Sequence, residues 1–249
     1  MPKKDEKAGN GMINFYEHKD IKKHLTVSHN PHLAETQIKL PCRVGVVAAS
    51  GGGKSNFMLN CLSKMSDTFG HVYICIPNGG QEPLYQFLLD KVGAKNVTFF
   101  KRATEIPPMA KFPHSDKQIL LIFDDMVNAT EPEQMIMREW FLRGRKVGKG
   151  VSMFFLSQSY FKISKFIRLQ FNYLVLLKLS SMRDMSLIMS DYSLGVQKEE
   201  LLAIYKDATK LQFGFLKIDV DARNNNLKYS RNFTQFYHVD DEDEDEDEN

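Results

Sequence analysis

From about residue 41 onward, unbroken runs of apolar residues alternate with stretches in which apolar residues recur at helical spacing. A short run that is apolar at every position predicts a strand buried on both faces, and a period near 3.6 residues predicts an amphipathic helix. Strands are predicted at residues 43–47, 71–76, 97–100, 118–123, 151–156 and 173–179. Helices are predicted after the glycines at 51–53, at 83–92, at 131–143, and at about 183–190 and 197–208.

Two of these helices carry clear boundary signals. Pro83 stands at the start of the first one and Gly93 just beyond its end, as is typical of helix termini. Its apolar stripe, which we expect to face the core, consists of Leu84, Phe87, Leu88 and Val92. In the second helix, Thr130 and Glu133 have the spacing of a capping box, in which each side chain bonds a free backbone N–H of the first turn.

The repeated alternation of strands and helices predicts an α/β fold of three layers, with a mostly parallel central sheet between helices and right-handed crossovers. Apolar runs at 211–218 and 227–233, separated by asparagines at 224–226, predict a closing antiparallel strand pair. We predict three regions: a polar N-terminal arm at 1–38, the folded domain at 39–239, and a disordered acidic tail at 240–249.

The composition excludes several classes of protein. Hydrophobic residues make up 43% of the 249 residues and charged residues 26%, so the chain has ample core material and is not disordered as a whole. No apolar stretch approaches the roughly 18 residues of a membrane span, and the lysine-rich start lacks the hydrophobic centre of a signal peptide. The three cysteines lie within apolar runs, so we expect reduced core residues in a cytosol-like compartment and no secretion.

The formal net charge of +2 conceals an uneven distribution. Residues 240–248 are all acidic, so the rest of the chain carries 33 basic and 22 acidic residues, a net charge of +11. A basic body with an acidic tail is typical of proteins that bind polyanions, although a solvated acidic tail can also serve solubility alone.

A glycine cluster between the first predicted strand and helix has the form of a phosphate-binding loop. Its glycines can turn successive backbone N–H groups toward phosphates, Lys54 can reach the β and γ oxygens, and the Ser55 hydroxyl can ligate Mg²⁺. The N-terminus of the following helix adds positive potential. Ala48 stands where the strict motif has its first glycine. The predicted nucleotide-binding residues are Ser50, Gly51, Gly52, Gly53, Lys54, Ser55 and Asn56.

Two carboxylates follow the most apolar of the predicted strands. Asp124 and Asp125 come directly after residues 118–123, and ligands of open parallel sheets collect at the carboxyl ends of the strands. We predict that Asp124 holds the metal with Ser55, and that Asp125 accepts a proton from an attacking water. An acidic pair that merely caps a turn is the alternative for these residues taken in isolation.

A third polar segment, Ser157-Gln158-Ser159, follows the strand predicted at 151–156. A glutamine amide donates and accepts hydrogen bonds at once, so Gln158 could contact both a γ-phosphate and the water that attacks it. A surface polar cluster is an equally good explanation without further information.

Cations follow the helix predicted at 131–143. Arg143 and Arg145 complement the negative end of that helix, which explains them structurally. Alternatively, one of them is an arginine finger offered to a neighbouring subunit's nucleotide. Arg168 is a further candidate, and we favour Arg145 slightly.

These segments together resemble a known family, the virion DNA-packaging ATPases of poxviruses, other large DNA viruses and virophages, within the FtsK-HerA superfamily. The resemblance covers roughly residues 40–235, and its most specific part is the Asp-Asp pair followed by Leu-Ser-Gln-Ser-Tyr-Phe at 156–161. The matching residues are those at 50–55, 122–125, 144–145 and 155–161, with Arg168 and Asn172.

The resemblance implies a RecA-like sheet in which the strand before Gln158 lies between the strands that lead to Lys54 and Asp124. It also implies ATP and Mg²⁺ as cofactors, and a homo-oligomeric ring, a hexamer or pentamer, that moves double-stranded DNA through its pore with arginine fingers supplied in trans. Capsid proteins are possible further partners, and the location would be the virion or the cytoplasmic viral factory of the host.

The leading hypothesis is therefore an ATP-hydrolysing translocase that packages a viral genome into a capsid without reading its sequence. A small-molecule or nucleoside kinase would also explain the phosphate-binding loop, but it needs an acceptor pocket and has no use for Asp125 with Gln158. A nucleotide-stabilised assembly protein without activity is the third possibility, and the intact Lys54, Ser55 and Asp pair argue against it.

Overall fold

One sheet of nine strands forms the centre of the chain within residues 13–22, 29–113, 115–193 and 196–239, the ranges that the computed structural model describes. The strands are β1 (Arg43–Val47), β2 (Phe69–Cys75), β3 (Val97–Phe100), β4 (Gln118–Asp124), β5 (Val151–Ser157), β6 (Tyr173–Leu176), β7 (Leu216–Asp219), β8 (Tyr229–Arg231) and β9 (Gln235–Phe236). The helices in the same ranges are α1 (Lys19–Lys22), α2 (Leu33–Thr36), α3 (Lys54–Lys64), α4 (Pro83–Val92), α5 (Glu131–Arg143), α6 (Lys165–Arg168), α7 (Met182–Tyr192) and α8 (Lys198–Ala208).

The strand order across the sheet is β3-β2-β4-β5-β1-β6-β7-β8-β9. All neighbours from β3 to β6 pair in parallel, and the pairs β6–β7, β7–β8 and β8–β9 are antiparallel. The prediction of a mostly parallel sheet with an antiparallel C-terminal pair is confirmed, and the short β9 extends that pair. The order also places β5 between β1 and β4, as the resemblance implies.

Helices cover both faces of the sheet, and this arrangement explains why its central strands are apolar at every position. In β4, Leu120 and Ile122 pack with buried residues of α3 and α4 on one face. The alternate residues Leu121 and Phe123 pack with α5, α7 and α8 on the other face. All seven residues of β4 are buried, so the chain forms three layers as predicted.

The predicted apolar stripe of α4 is confirmed at Leu88 and at the partly buried Val92, but it is wrong at Leu84 and Phe87. Tyr85 and Leu88 are the buried residues of this helix, at 0% and 2% exposure, whereas Leu84 and Phe87 are 39% and 51% exposed. A tyrosine can be buried only where its hydroxyl finds a partner, and here the hydroxyl donates to Asp124 of β4. Because that partner lies on another strand, the spacing of apolar residues in α4 could not show it.

The structure shortens the strand predicted at 211–218 to Leu216–Asp219. The preceding residues form a turn, in which the Gly214 N–H donates to the Leu211 carbonyl at 3.0 Å and Phe213 has a left-handed φ of 60°. Apolar residues therefore continue into a segment whose backbone does not pair with the sheet. The strand predicted at 173–179 likewise ends at Leu176.

A buried lysine joins the segment before β1 to the C-terminal strands. Lys217 of β7 is 1% exposed, and its ammonium group donates to the carbonyls of Thr36, Gln37 and Phe233 at 3.2, 3.4 and 2.8 Å. Asn30, in the same segment, is also buried and donates to the Ile38 carbonyl at 2.8 Å. Residues 29–38 are thus packed on the sheet in this structure.

Residues 1–12, 23–28, 114, 194–195 and 240–249 lie outside the described ranges. They include most of the predicted N-terminal arm and the whole predicted acidic tail. The division of the chain at residues 38 and 239 stays a prediction.

Lys217 leads to a prediction about stability and pH. Burial lowers its pKa from the ordinary 10.5 to about 8, so the unfolded chain binds more protons than the folded chain between these two values. The free energy of unfolding should therefore rise with pH across that window, by up to about 3 kcal/mol. Below about pH 8, Lys217 is protonated in both states and adds no pH dependence to this free energy. Urea unfolding curves recorded at both ends of the window give the free energy of unfolding at each pH. We expect this free energy to increase more with pH in wild type than in Lys217→Met.

The exposed Lys210 gives a matched control, since Lys210→Met should show the same pH dependence as wild type. The unfolding free energies of wild type and Lys217→Met could instead change in parallel from about pH 8 to about pH 10.5. That result would contradict the effect of burial on the pKa of Lys217.

Candidate functional site

The carboxyl ends of β1, β5 and β4 form one edge of the sheet, and the three predicted polar segments meet there. A cavity of about 480 Å³ at this edge is lined by residues of all three segments. Lys54 belongs to the loop and helix after β1, Asp124 and Asp125 end β4, and Gln158 follows β5. The residues lining the cavity are Ser50, Gly51, Gly53, Lys54, Ser55, Asn56, Glu82, Leu84, Asp124, Asp125, Gln158 and Phe213.

The loop between β1 and α3 has the backbone that a glycine cluster permits. Gly53 has a φ of 97°, and a Cβ atom there would lie 2.7 Å from the Phe213 ring. A Cβ on Gly52 would lie 2.8 Å from the Ala49 carbonyl oxygen. Both positions therefore need glycine, because a side chain would clash and, at Gly53, would also strain the backbone.

Ala48 fits the start of this loop although it replaces a glycine of the strict motif. It is fully buried, and its N–H donates to the Ser157 carbonyl at 3.2 Å. The next residue, Ala49, donates to the Lys178 carbonyl at 2.9 Å. The loop thus begins as a continuation of the sheet, with an ordinary strand-like hydrogen-bond pattern that alanine can adopt.

Lys54, Ser55 and Asn56 form the first turn of α3, and all three line the cavity. The first N–H groups of a helix have no partner within it, so the eleven-residue α3 directs free donors and positive potential toward this space. Lys54 is only 9% exposed. Its charge is therefore held within the wall of the cavity.

Asp124 is the most buried acid of the site, at 3% exposure. The pKa of its carboxyl group is raised to about 6, mainly by burial and also by the neighbouring Asp125, although the hydrogen bond from Tyr85 and the charge of Lys54 act in the opposite direction. The Tyr85 hydroxyl donates to Oδ2, whereas the buried Oδ1 has no hydrogen-bond partner among the residues that the structure describes. An unpaired buried carboxylate oxygen is costly unless a ligand completes it.

The donor set suits a magnesium ion. Mg²⁺ prefers oxygen ligands and is usually bound through one or two carboxylates together with substrate phosphates. Asp124, whose buried Oδ1 is unpaired among the described residues, and Ser55 line the same cavity. No cluster of three or more His, Cys, Asp or Glu side chains that could hold a metal by itself occurs among the described residues, so a metal here would depend on a bound phosphate.

Asp125 and Gln158 are joined by a hydrogen bond at the mouth of the cavity. The Gln158 amide donates to Asp125 Oδ2 at 3.1 Å. Asp125 has a left-handed φ of 54°, a conformation that turns its side chain away from the line of β4, and its N–H donates to the Leu156 carbonyl. A second cavity, of about 650 Å³, shares Ser50, Asp125 and Gln158 with the first, so the pair stands between two open spaces.

Neighbouring serines hold the turn that carries Gln158. The Ser157 hydroxyl donates to the Ser159 carbonyl at 2.8 Å, and the Ser159 hydroxyl donates to the buried Asp184 at 2.9 Å. The Phe161 N–H donates to the same carboxylate at 2.8 Å. Asp184 of α7 therefore fixes the segment after β5, while Gln158 itself is exposed toward the cavities.

The structure separates the three candidate arginines from this cavity. Arg168 is paired with Asp191 at 3.2 Å, has a side chain only 12% exposed and lies over the Tyr160 ring. Arg143 and Arg145 follow the far end of α5, at the opposite edge of the sheet, where Arg145 and burial together lower the pKa of Arg43 at the start of β1. Arg143 forms an exposed pair with Glu139 at 3.4 Å.

Sequence reasoning missed several residues of the site. Tyr85 was absent from the predicted stripe of α4, and Phe213 was assigned to a strand. Asp184 lies within the helix predicted at about 183–190, and no sequence motif distinguishes it from the other residues of that helix. The asparagine Asn172, which the resemblance includes, accepts a hydrogen bond from the Arg43 N–H at 2.7 Å and so has a structural place at the start of β1.

Comparison with known proteins identifies the family. Residues 32–213 match the family described as Poxvirus A32 protein. The chain belongs to that family. The membership confirms the predicted resemblance to the packaging ATPases of poxviruses, and the chain is accordingly an ATPase of the P-loop type.

Solved structures support the fold of this A32 protein. The genome packaging NTPase B204 from Sulfolobus turreted icosahedral virus 2, in complex with AMPPCP, is 15% identical, with a TM-score of 0.53 and coverage of 78% of this chain and 98% of that one. The same protein with sulfate is 16% identical, with a TM-score of 0.53 and coverage of 81% and 100%. The pCW3 conjugation coupling protein TcpA, with ATPγS, is 12% identical, with a TM-score of 0.52 and coverage of 82% and 62%.

At these identities the likeness concerns the fold alone, and it confirms the predicted α/β fold with a mostly parallel central sheet. No curated protein sequence matches the chain. Within the described ranges of the A32 protein, no helix is both long enough and apolar enough to cross a membrane.

Proposed function

We propose that this A32 protein hydrolyses ATP and uses the energy to move double-stranded DNA into a viral capsid, without reading its sequence. The observation that carries the proposal is the hydrogen bond between Asp125 and Gln158 at the mouth of a cavity that also contains Lys54, Ser55 and Asp124. A kinase needs the phosphate-binding groups but has no need for a carboxylate and an amide arranged to hold a water.

The roles of the residues follow from their positions. The backbone N–H groups of Ser50, Gly51 and Gly53 and the Lys54 ammonium bind the β and γ phosphates, and Asn56 adds to the first turn of α3. The Gly52 N–H instead donates to the Ala49 carbonyl at 2.8 Å and so holds the loop. Ser55 and Asp124 would hold Mg²⁺, which supplies charge neutralisation on the phosphate oxygens when bound. Gln158 orients a water toward the γ-phosphorus. Asp125 takes the proton of that water as its oxygen bonds to phosphorus and the bond to the leaving ADP breaks.

Burial sets the preferred role of each carboxylate. Asp124 is enclosed next to Lys54 and Tyr85, so it has little contact with solvent water and suits a fixed metal ligand. Asp125 is exposed and faces both cavities, so it can release an accepted proton to solvent. This division of roles is the one predicted from the sequence.

An arginine finger in trans would complete the transition state. Arg145 is exposed, no carboxylate of the described residues lies within ion-pair distance of it, and it cannot reach the cavity of its own subunit. Arg168 is already engaged by Asp191 and Tyr160. We therefore favour Arg145, with Arg143 second, and this choice requires a ring in which neighbouring subunits, five or six in all, share each site.

The DNA partner rests on charge and on the family. Residues 1–239 carry a net charge of +11, which provides non-specific phosphate contacts that weaken steeply with salt. The similar protein B204 is described as a genome packaging NTPase. Capsid proteins would be the docking partners of such a motor, and its location would be the virion or the cytoplasmic viral factory.

Hydrolysis with and without DNA tests the proposal. Wild type with ATP and Mg²⁺ should release inorganic phosphate faster when duplex DNA is present, and native mass measurement should show a ring. Lys54→Ala should lower turnover by about 100-fold or more, because a main phosphate contact is lost. Lys91→Ala, which removes an exposed lysine of α4, should not. Phosphate captured by a small acceptor would favour the kinase, and binding without turnover would favour the assembly protein.

Asp125→Asn tests the proton acceptor. The substitution keeps the size of the side chain and an oxygen for Gln158 but removes the basic carboxylate, so kcat should fall by about 10²- to 10⁴-fold with little change in the affinity for ATP. Asp67 is a matched control, since it also has a left-handed φ, of 58°, and precedes β2 at the other edge of the sheet. Equal turnover of Asp125→Asn and Asp67→Asn would refute the role.

Mixed rings test the finger. Arg145→Ala alone should lower kcat by about 10³-fold or more, so this variant and Lys54→Ala should each have little activity by themselves. Subunits of the two variants, combined, should recover part of the activity, because some interfaces pair an intact loop with an intact arginine. Mixing Arg143→Ala subunits with Lys54→Ala subunits tests Arg143 in the same way, and the arginine whose variant shows recovery is the finger. An absence of recovery in both mixtures would exclude a finger in trans at either position.

A further inference from the structure

Phe213 lies beside the phosphate-binding loop in a conformation that an aromatic residue rarely adopts. Its φ is 60°, and a bulky residue adopts a left-handed backbone only at a cost in free energy. The side chain is 49% exposed, so burial offsets only part of that cost. Strained conformations cluster at ligand sites, and Phe213 belongs to the lining of the phosphate cavity.

The ring of Phe213 is placed by contact with the loop itself. A Cβ atom on Gly53 would lie 2.7 Å from Cδ1 of this ring, so the aromatic group covers the glycine immediately before Lys54. A ligand whose phosphates bind at Lys54 therefore extends along the Phe213 ring on its way out of the cavity.

Beyond Phe213 lies a second space, which we call the amide cavity. It has a volume of about 450 Å³, and Phe213 and Asn56 line both it and the phosphate cavity. Its polar lining is mainly neutral, with Asn60 from α3 and Asn232 from the turn after β8. The described residues that line it include two charged side chains, Glu35 and Lys64, and Lys64 lies over the Phe233 ring.

This lining matches the chemistry of a nucleobase. A base is planar, has apolar faces that stack on aromatic rings, and carries uncharged donors and acceptors on its edge. The Asn60 amide donates to the Asn56 carbonyl at 2.8 Å, and Asn232 Oδ1 accepts from the Phe215 N–H at 3.4 Å. Because an amide both donates and accepts, the Asn60 oxygen and the Asn232 amino group can serve such an edge without the cost of burying a charge. The half-exposed ring of Phe213 provides the face, and the larger purine ring system gains more from it than a pyrimidine.

We propose that Phe213 and the amide cavity bind the purine base of the nucleoside triphosphate, with Phe213 stacked on its face and the asparagines at its edge. This inference rests on the proposed function for the position of the phosphates. It makes Phe213, rather than a residue of the phosphate-binding loop, the main determinant of preference for a nucleotide over a bare polyphosphate.

Two ligands separate the base from the phosphates. We would measure, by calorimetry on the full chain, the Kd of the non-hydrolysable β,γ-methylene analogue of ATP and of inorganic tripolyphosphate. Phe213→Ala should weaken binding of the analogue on the order of tenfold, the effect of one lost base stack, and should leave the affinity for tripolyphosphate unchanged. Phe213→Tyr should bind both ligands as wild type does, and so should Phe87→Ala, which removes an equally exposed phenylalanine of α4.

Other results have distinct meanings. If Phe213→Ala binds the analogue as wild type does, or loses both ligands equally, Phe213 does not contact the base and this inference is overturned. Wild type that binds the analogue no more tightly than tripolyphosphate overturns it as well. A third result is that wild type prefers the analogue to tripolyphosphate, that Phe213→Ala loses this preference, and that wild type never hydrolyses ATP. This result would overturn the proposed function but support the purine site.

Discussion

The position of β5 between β1 and β4 is the constraint on which the site depends. Its two parallel ladders set Ser157 level with Val47 on one side and Leu156 level with Asp124 on the other. The three segments that form the site, which are the loop, the acidic pair and Gln158, therefore begin within one residue of each other along the strand direction. A slip of one residue in either ladder would turn every side chain of β5 to the other face of the sheet. The apolar residues on both faces make such a slip costly, so the packing of the core fixes the geometry of the chemistry.

Burial of opposite charges next to each other is the second constraint. Lys54 and Asp124 are both largely removed from solvent, and each lowers the cost of placing the other there. Tyr85 satisfies one oxygen of the carboxylate and leaves the other unpaired. That unpaired oxygen is the one that we propose as a metal ligand. The exposed Asp125 is free of this constraint, which is why two adjacent aspartates can serve different purposes.

The strands, the bounds of α4 and the phosphate-binding loop could be predicted from the sequence, because each depends on residues that are close together in the chain. Apolar runs marked the strands, Pro83 and Gly93 marked α4, and glycines marked the loop after β1. The order of the strands came from the family resemblance, since periodicity does not say which strands are neighbours. Tyr85 and Phe213 escaped prediction for a related reason. The partner of the Tyr85 hydroxyl lies 39 residues away in the chain, and the turn at Phe213 interrupts an apolar run that continues unchanged in the sequence.

The two edges of the sheet carry different parts of the chemistry, and the distance between them has a consequence. The groups that we propose to contact phosphate and water lie at the carboxyl ends of the strands, whereas Arg143 and Arg145 lie at the amino ends. β5 has seven residues, and at about 3.3 Å per residue the edges are about 20 Å apart. No arginine side chain spans that distance. A cation from this segment can therefore act only on another subunit's nucleotide, so the geometry of a single chain makes assembly, rather than any local rearrangement, the condition for its use.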